Sequence, residues 1–117
     1  MAYRFEGLEI WKVAIAYAKR IYKITENFPR QETYGLTNQL RRAVVSVSSN
    51  IAEGSASDSS KDFKNFLNYS IRSLAEVTSE LSIAKALGYL EGTDYQSLYN
   101  ESEVLVKRIV VFKRALS

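Results

Sequence analysis

The chain has 117 residues, 46% of them hydrophobic and 25% charged, which is the balance of one soluble globular domain. It contains no cysteine and no histidine, which excludes thiol chemistry, Ser-His-Asp triads, ordinary zinc sites and the Glu-x-x-His ligands of di-iron bundles. A net charge of +3 permits nucleic-acid binding without requiring it. We therefore expect no catalytic residue, metal, cofactor or small-molecule substrate.

No apolar run approaches the roughly 18 residues of a membrane span, and the N-terminal segment lacks the pattern of a secretory signal. The absence of cysteine fits a reducing compartment. These observations predict a cytoplasmic protein that does not contact a membrane.

The first predicted helix, residues 8–28, carries two neighbouring apolar series at spacings of three and four. One series contains Trp11, Ile15 and Tyr22, and the other contains Ile10, Tyr17, Ile21, Ile24 and Phe28. An ordinary surface helix needs only one such stripe. Two stripes indicate a helix that is covered on two sides, either deep in its own bundle or against another subunit.

The second predicted helix, residues 33–53, contains the stretch TNQLRRAVVSVSSNIAEG. Arg41 and Arg42 point about 100° apart, so we expect one to pair with a carboxylate such as Glu76 or Glu80, with phosphate contact as the alternative. The small residues after Arg42 favour close approach of another helix. Gly54 is expected to end this helix.

Asn50 and Glu53 are unfavourable choices for the last turn of a helix, because asparagine weakens the helix interior and glutamate faces the negative end of the dipole. We expect the following loop, a basic side chain or a second subunit to satisfy them. A structural role is favoured over a functional one.

The third and fourth helices are predicted at residues 60–87 and 94–116 from apolar residues at heptad spacing. Ser59 should cap the third helix and Gly88 should end it, while Thr93 and Gln96 resemble a capping box for the fourth. Short loops between four helices predict an all-α, antiparallel up-down-up-down four-helix bundle that forms one domain over residues 1–117.

The C-terminal segment KRIVVFKRAL is basic, like the pair Arg41 and Arg42 on the second helix. If nucleic acid is bound, we expect phosphate contacts that give affinity with little base readout. The candidate residues for these contacts are Arg41, Arg42, Lys107, Arg108 and Arg114.

The segments FEGLEIWKVA, FPRQETYGLTNQLRRAVVSVSSNIAEG, FLNYSIRSLAEV and AKALGYL resemble, in order, the small proteins encoded in intervening sequences of bacterial 23S rRNA genes, also called S23 proteins. The resemblance covers nearly the whole chain. The positions that match the family motif, for which we expect structural or interface roles, are Gln39, Arg42, Asn50, Glu53, Gly54, Ser73 and Glu76.

The resemblance implies a four-helix bundle without established catalytic activity. The family is similar to the accessory variability protein of diversity-generating retroelements, which implies a homopentameric ring that binds RNA or DNA. A ring would account for the second stripe of the first helix, with Ile10, Tyr17, Ile21 and Ile24 as candidate interface residues. The alternative is a protein-interaction or assembly module whose charges only solvate the bundle.

Overall fold

Four α-helices make up most of the chain in the computed structural model, which describes residues 2–117. Two short 3-10 turns precede α1 and α2, and no strand occurs in the described part of the chain. The all-α, four-helix prediction is confirmed. None of the four helices is long and apolar enough to cross a membrane. Their bounds are α1 Glu9–Thr25, α2 Leu36–Ser55, α3 Ser60–Ala86 and α4 Gly92–Ala115.

Each helix packs against the helices before and after it in sequence, and α4 also packs against α1 to close the bundle. The pairing between α2 and α3 runs in opposite directions, because Ser46 bonds Ser73 whereas Gly54, later in α2, faces Phe63, earlier in α3. Short connections join the successive helices. The bundle is therefore up-down-up-down, with α2 diagonally opposite α4.

The core runs the length of the bundle and contains an aliphatic residue from every helix. Fully buried aliphatic side chains of this size each contribute about 1.5–3 kcal/mol relative to exposure. The largest of them are Ile21, Leu40, Ile51, Leu67, Leu74, Leu81, Leu98, Leu105 and Ile109. Tyr17 joins this core, and its hydroxyl donates to the carbonyl oxygen of Leu98 at 3.0 Å. Burial raises the pKa of Tyr17.

The predicted subunit interface on α1 is wrong for three of its four residues. Ile10, Tyr17 and Ile21 are 5%, 3% and 0% exposed, so they form the core face of α1 and cannot contact another subunit. Ile24 is half-buried. In the other series, Ile15 and Tyr22 are 43% and 41% exposed, whereas Trp11 packs partly against the core. Two adjacent stripes with the same spacing look alike in sequence, and only packing decides which of them faces inward.

Sequence-based predictions of helix ends are confirmed where a single side chain or a single backbone angle determines the end. Ser59 accepts a hydrogen bond from the backbone N–H of Asp62 at 3.1 Å, and Gly88, which follows the C-cap residue Leu87 of α3, has a φ of 80°. The capping box at Thr93 is wrong. Both Thr93 and Gln96 lie inside α4, whose N-cap position is occupied by Glu91 without a side-chain bond.

Gly54 does not end α2, because the helix continues through it to Ser55. Its role is steric. A Cβ atom at this position would lie 2.8 Å from both Cδ1 of Phe63 and Cβ of Phe66 on α3. A glycine is needed here because α2 and α3 approach too closely for any side chain.

We predict that Gly54→Ala destabilises the protein by about 1–3 kcal/mol, although alanine is the better helix former. The clash outweighs the propensity, because Cβ of Phe66 is fixed to its backbone and cannot turn aside. Gly92→Ala in the first turn of α4 is the control, since its new Cβ would have only Lys85 Cε nearby, at 4.0 Å. Urea unfolding of both variants measures the difference. A G54A variant as stable as the wild type would contradict the close approach.

Candidate nucleic-acid interface

A polar groove follows the outer face of α2, on the side opposite its core residues. Its volume is about 620 Å³. Residues spaced three, four and seven apart on a helix share a face, which is why one stretch of α2 supplies nearly the whole lining. The lining residues are Tyr22 of α1 and Asn38, Arg41, Arg42, Val45, Ser46, Ser49, Asn50 and Glu53 of α2. We call this site the α2 groove.

Arg41 is held in a fixed position at one wall of the groove. Its Nε donates to Oγ1 of Thr25 at 2.9 Å, and its Nη2 donates to the carbonyl oxygen of Tyr22 at 3.2 Å. The guanidinium lies over the Tyr22 ring, 4.6 Å from the centroid. A cation at the last carbonyls of α1 also complements the helix dipole. Arg41 therefore joins the end of α1 to α2.

Arg42 is exposed and lines the same groove. The expected ion pair between one of the two arginines and Glu76 or Glu80 is wrong. The one ion pair within residues 2–117 joins Arg20 of α1 to Glu101 of α4. Arg41 meets backbone and hydroxyl oxygens on α1 instead of a carboxylate on α3.

Ser46 links the groove to α3. Its Oγ accepts from Oγ of Ser73 at 3.0 Å and from Nδ2 of Asn50 at 2.9 Å. Asn50 also donates to the carbonyl oxygen of Ser46 at 2.8 Å, so the preceding turn satisfies it rather than any of the expected partners. Of these family-motif positions, Ser73 thus serves the α2–α3 contact, whereas the bonds of Asn50 lie within α2.

The remaining family-motif positions differ in their surroundings. Gln39 and Glu76 are exposed. Glu53 is exposed at one end of the α2 groove and forms no hydrogen bond or ion pair with a side chain of residues 2–117. No described partner therefore satisfies Glu53, and the sequence-based expectation for it stays a prediction.

Glu80 is the buried carboxyl group of the bundle. It is 7% exposed, and its Oε1 has no hydrogen-bond partner among the described residues. Glu76 lies one helical turn before it on α3. Burial, followed by the charge and hydrogen bond of Glu76, raises the pKa of Glu80 from its ordinary value of 4.5 to about 7. The sequence did not predict this burial, because Glu80 lies off the heptad face.

We predict that Glu80 makes the free energy of unfolding fall as the pH rises from about 4.5 to about 7. In this window the folded state binds the proton that the unfolded state has released, so the loss is at most about 1.4 kcal/mol per pH unit. Glu80→Gln should flatten the dependence, as measured by urea unfolding at pH 5, 6, 7 and 8. Exposed Glu103 supplies the control, E103Q, which should keep the wild-type slope. Parallel wild-type and E80Q curves would show that Glu80 titrates normally.

The five candidate phosphate-binding residues do not form one patch. Arg41 and Arg42 lie on α2, whereas Lys107, Arg108 and Arg114 are exposed on α4, which is diagonally opposite. Sequence spacing could not reveal this separation, since it depends on the order in which the helices pack.

A second groove, which is apolar, runs between α1 and α4, and we call it the apolar seam. Two adjoining cavities of about 340 and 540 Å³ share Arg108 in their lining. Val104 and Val111 open onto this groove with 48% and 66% of their surface exposed. Val104 and Val111 are seven residues apart, so they lie on one face of α4 beside its heptad positions. This spacing is visible in the sequence, but the two valines were not identified there as an exposed apolar stripe.

The arrangement offers hydrogen-bond donors rather than reacting groups. The described residues contain no cluster of three acidic, histidine or cysteine side chains that could bind a metal ion. Guanidinium, amide and hydroxyl donors converge in the α2 groove with one carboxylate. Fold and groove together define a four-helix-bundle protein with a polar surface groove and an apolar seam.

Comparison with known proteins identifies the family. The family model for the 23S rRNA-intervening sequence protein matches residues 6–111, and the chain belongs to this family. A solved structure, a protein of unknown function from the S23 ribosomal protein family of Bacteroides thetaiotaomicron, matches with a TM-score of 0.79 and 25% sequence identity. The match covers 91% of this chain and 99% of that one. No curated protein matches this chain. The resemblance to the 23S rRNA intervening-sequence proteins that was inferred from the sequence is confirmed.

Proposed function

We propose that this protein is a non-enzymatic, cytoplasmic homo-oligomer that binds the phosphates of RNA or DNA through the α2 groove. The observation that carries the proposal is the convergence of Arg41 and Arg42 with neutral hydrogen-bond donors in one groove. Phosphate oxygens in protein complexes are contacted by arginine, serine and asparagine side chains of this kind.

The charge of the groove supports an anionic ligand. Its lining contains two guanidinium groups and one carboxylate, and Glu53 lies at the far end from Arg41, three helical turns along α2. Arg41 has two donors engaged on α1, which leaves other N–H groups for a ligand, while Arg42 has no ion pair within residues 2–117.

The apolar seam between α1 and α4 supports self-association. Val104 and Val111 present an exposed apolar stripe that replaces the incorrectly predicted interface at Ile10, Tyr17 and Ile21. A five-membered ring, which the resemblance to the retroelement protein suggests, would carry five times the net charge of +3 and concentrate the field. In such a ring, Lys107 and Arg108 beside the apolar seam would add to the positive electrostatic field that attracts nucleic acid.

We predict that the protein binds single-stranded RNA at low salt and that binding weakens steeply as salt rises, because phosphate contacts release counterions. Arg42→Gln should weaken binding and lower the slope of log K against log salt by about 0.7, the share of one phosphate contact. Arg114→Gln, on the diagonally opposite helix, is the matched control and should have a smaller effect. Fluorescence anisotropy with a labelled oligonucleotide measures both.

Two results would contradict the assignment of the α2 groove. Absence of binding at low salt, where electrostatic attraction is strongest, would exclude nucleic acid as the ligand. An R114Q variant that loses more affinity than R42Q would move the phosphate site to α4.

We predict that Val104→Asp and Val111→Asp reduce the native mass of the protein in solution to that of a monomer. A buried unpaired carboxylate is costly in an interface, whereas both side chains are exposed in the single chain and should leave its stability almost unchanged. Native mass spectrometry measures the mass, and thermal unfolding monitors the fold. A monomeric wild type would contradict self-association.

The second candidate function is an assembly module that binds only protein. The exposed apolar stripe at Val104 and Val111 favours it independently of any arginine. A defined oligomer that fails to bind RNA at low salt would support this candidate over the first.

A further inference from the structure

We infer that Tyr22 and Arg41 form a stacking surface for one unpaired base, so that the α2 groove takes single-stranded nucleic acid rather than duplex. This inference rests on the proposed function, because it names the form of nucleic acid that the same groove would accept. It adds a contact that phosphate binding alone does not require.

The guanidinium of Arg41 is oriented before any ligand arrives. Bonds to Thr25 Oγ1 and to the Tyr22 carbonyl oxygen fix two of its nitrogens, and its Cζ lies over the Tyr22 ring, 4.6 Å from the centroid. A planar group held in this way loses little conformational freedom on binding. Bases stack on arginine planes as they do on aromatic rings.

The pair is also accessible from the groove. Tyr22 is 41% exposed, Arg41 is half-buried, and both line the groove next to Arg42. An unpaired base stacked on the Arg41 plane would bring its backbone toward the exposed Arg42. Arg41 then recognises the base and Arg42 the phosphate.

Duplex nucleic acid cannot use such a surface. Its bases are already stacked on one another, whereas splayed bases of single strands offer a free face. Stacking on one side chain changes affinity by about 5- to 150-fold and depends little on sequence. The α2 groove should therefore discriminate between single-stranded and duplex nucleic acid much more strongly than between nucleotide sequences.

The experiment compares a labelled single-stranded RNA oligonucleotide with its own duplex, by anisotropy at low salt. Arg41→Lys keeps the charge and loses the plane, so it should weaken single-strand binding by at least about fivefold and duplex binding by much less. Arg114→Lys is the matched control, because Arg114 is exposed on α4 outside the groove, and it should stay within about twofold of the wild type for both forms.

Tyr22→Leu is the second test variant, and it keeps the inference testable if R41K does not fold. It removes the ring but keeps the backbone carbonyl that Arg41 bonds, and the position is exposed. It should also weaken single-strand binding selectively. A 2-aminopurine base in the oligonucleotide reports its stacking state directly, since its fluorescence should change on binding to the wild type and change less with Y22L.

The outcomes separate this inference from the proposed function. If the wild type binds neither form at low salt, both are overturned. If it binds both forms equally and R41K and Y22L match the wild type, the groove holds phosphates only and the stacking inference alone is overturned.

Discussion

The close approach of α2 and α3 is the constraint on which the remaining structure depends. Gly54 leaves no room for a side chain between α2 and the two phenylalanines Phe63 and Phe66. Farther along the same contact, Ser70 donates to the carbonyl oxygen of Val47 at 2.8 Å, and Ser73 donates to Ser46. Small residues on α2 permit this spacing. Once the inner face of α2 is committed to α3 and the core, its outer face is left with polar and basic side chains.

The contacts of α2 with its neighbouring helices also make the α2 groove rigid. Arg41 binds the last turn of α1, and Ser46 is bonded to α3, so the α2 groove has a side chain anchored toward each of its two neighbouring helices. A binding surface supported by regular helices and by such contacts is preorganised. The family motif thus combines two tasks. Gly54 and Ser73 serve the contact between α2 and α3, whereas Arg42 points away from it into the groove.

Sequence periodicity predicted the four helices and their order, because apolar residues at spacings of three and four report burial directly. It could not choose between the two stripes of α1, and it selected Ile10, Tyr17 and Ile21 as an interface although they form the core. Gly54 was misread because a glycine that ends a helix and a glycine that admits a neighbouring helix look the same near the end of an apolar pattern.

The candidate site was predictable only in part. Arg41 and Arg42 were recognised as candidates for phosphate contact, but the attachment of Arg41 to Tyr22 and Thr25 is a contact between helices and has no local signal. The same is true of the separation between these arginines and Lys107 on α4, which follows from the diagonal placement of α2 and α4. Residue types indicated the chemistry, and the packing order determined which of them could act together.

Photo-crosslinking is the direct test of the proposal that nucleic acid binds to the outer face of α2. A single-stranded RNA that contains 4-thiouridine would be irradiated with the wild-type protein, and the attached peptides identified by mass spectrometry. We expect crosslinks at Tyr22 and within residues 38–53. Crosslinks confined to the basic end of α4, at residues 107–114, would contradict it.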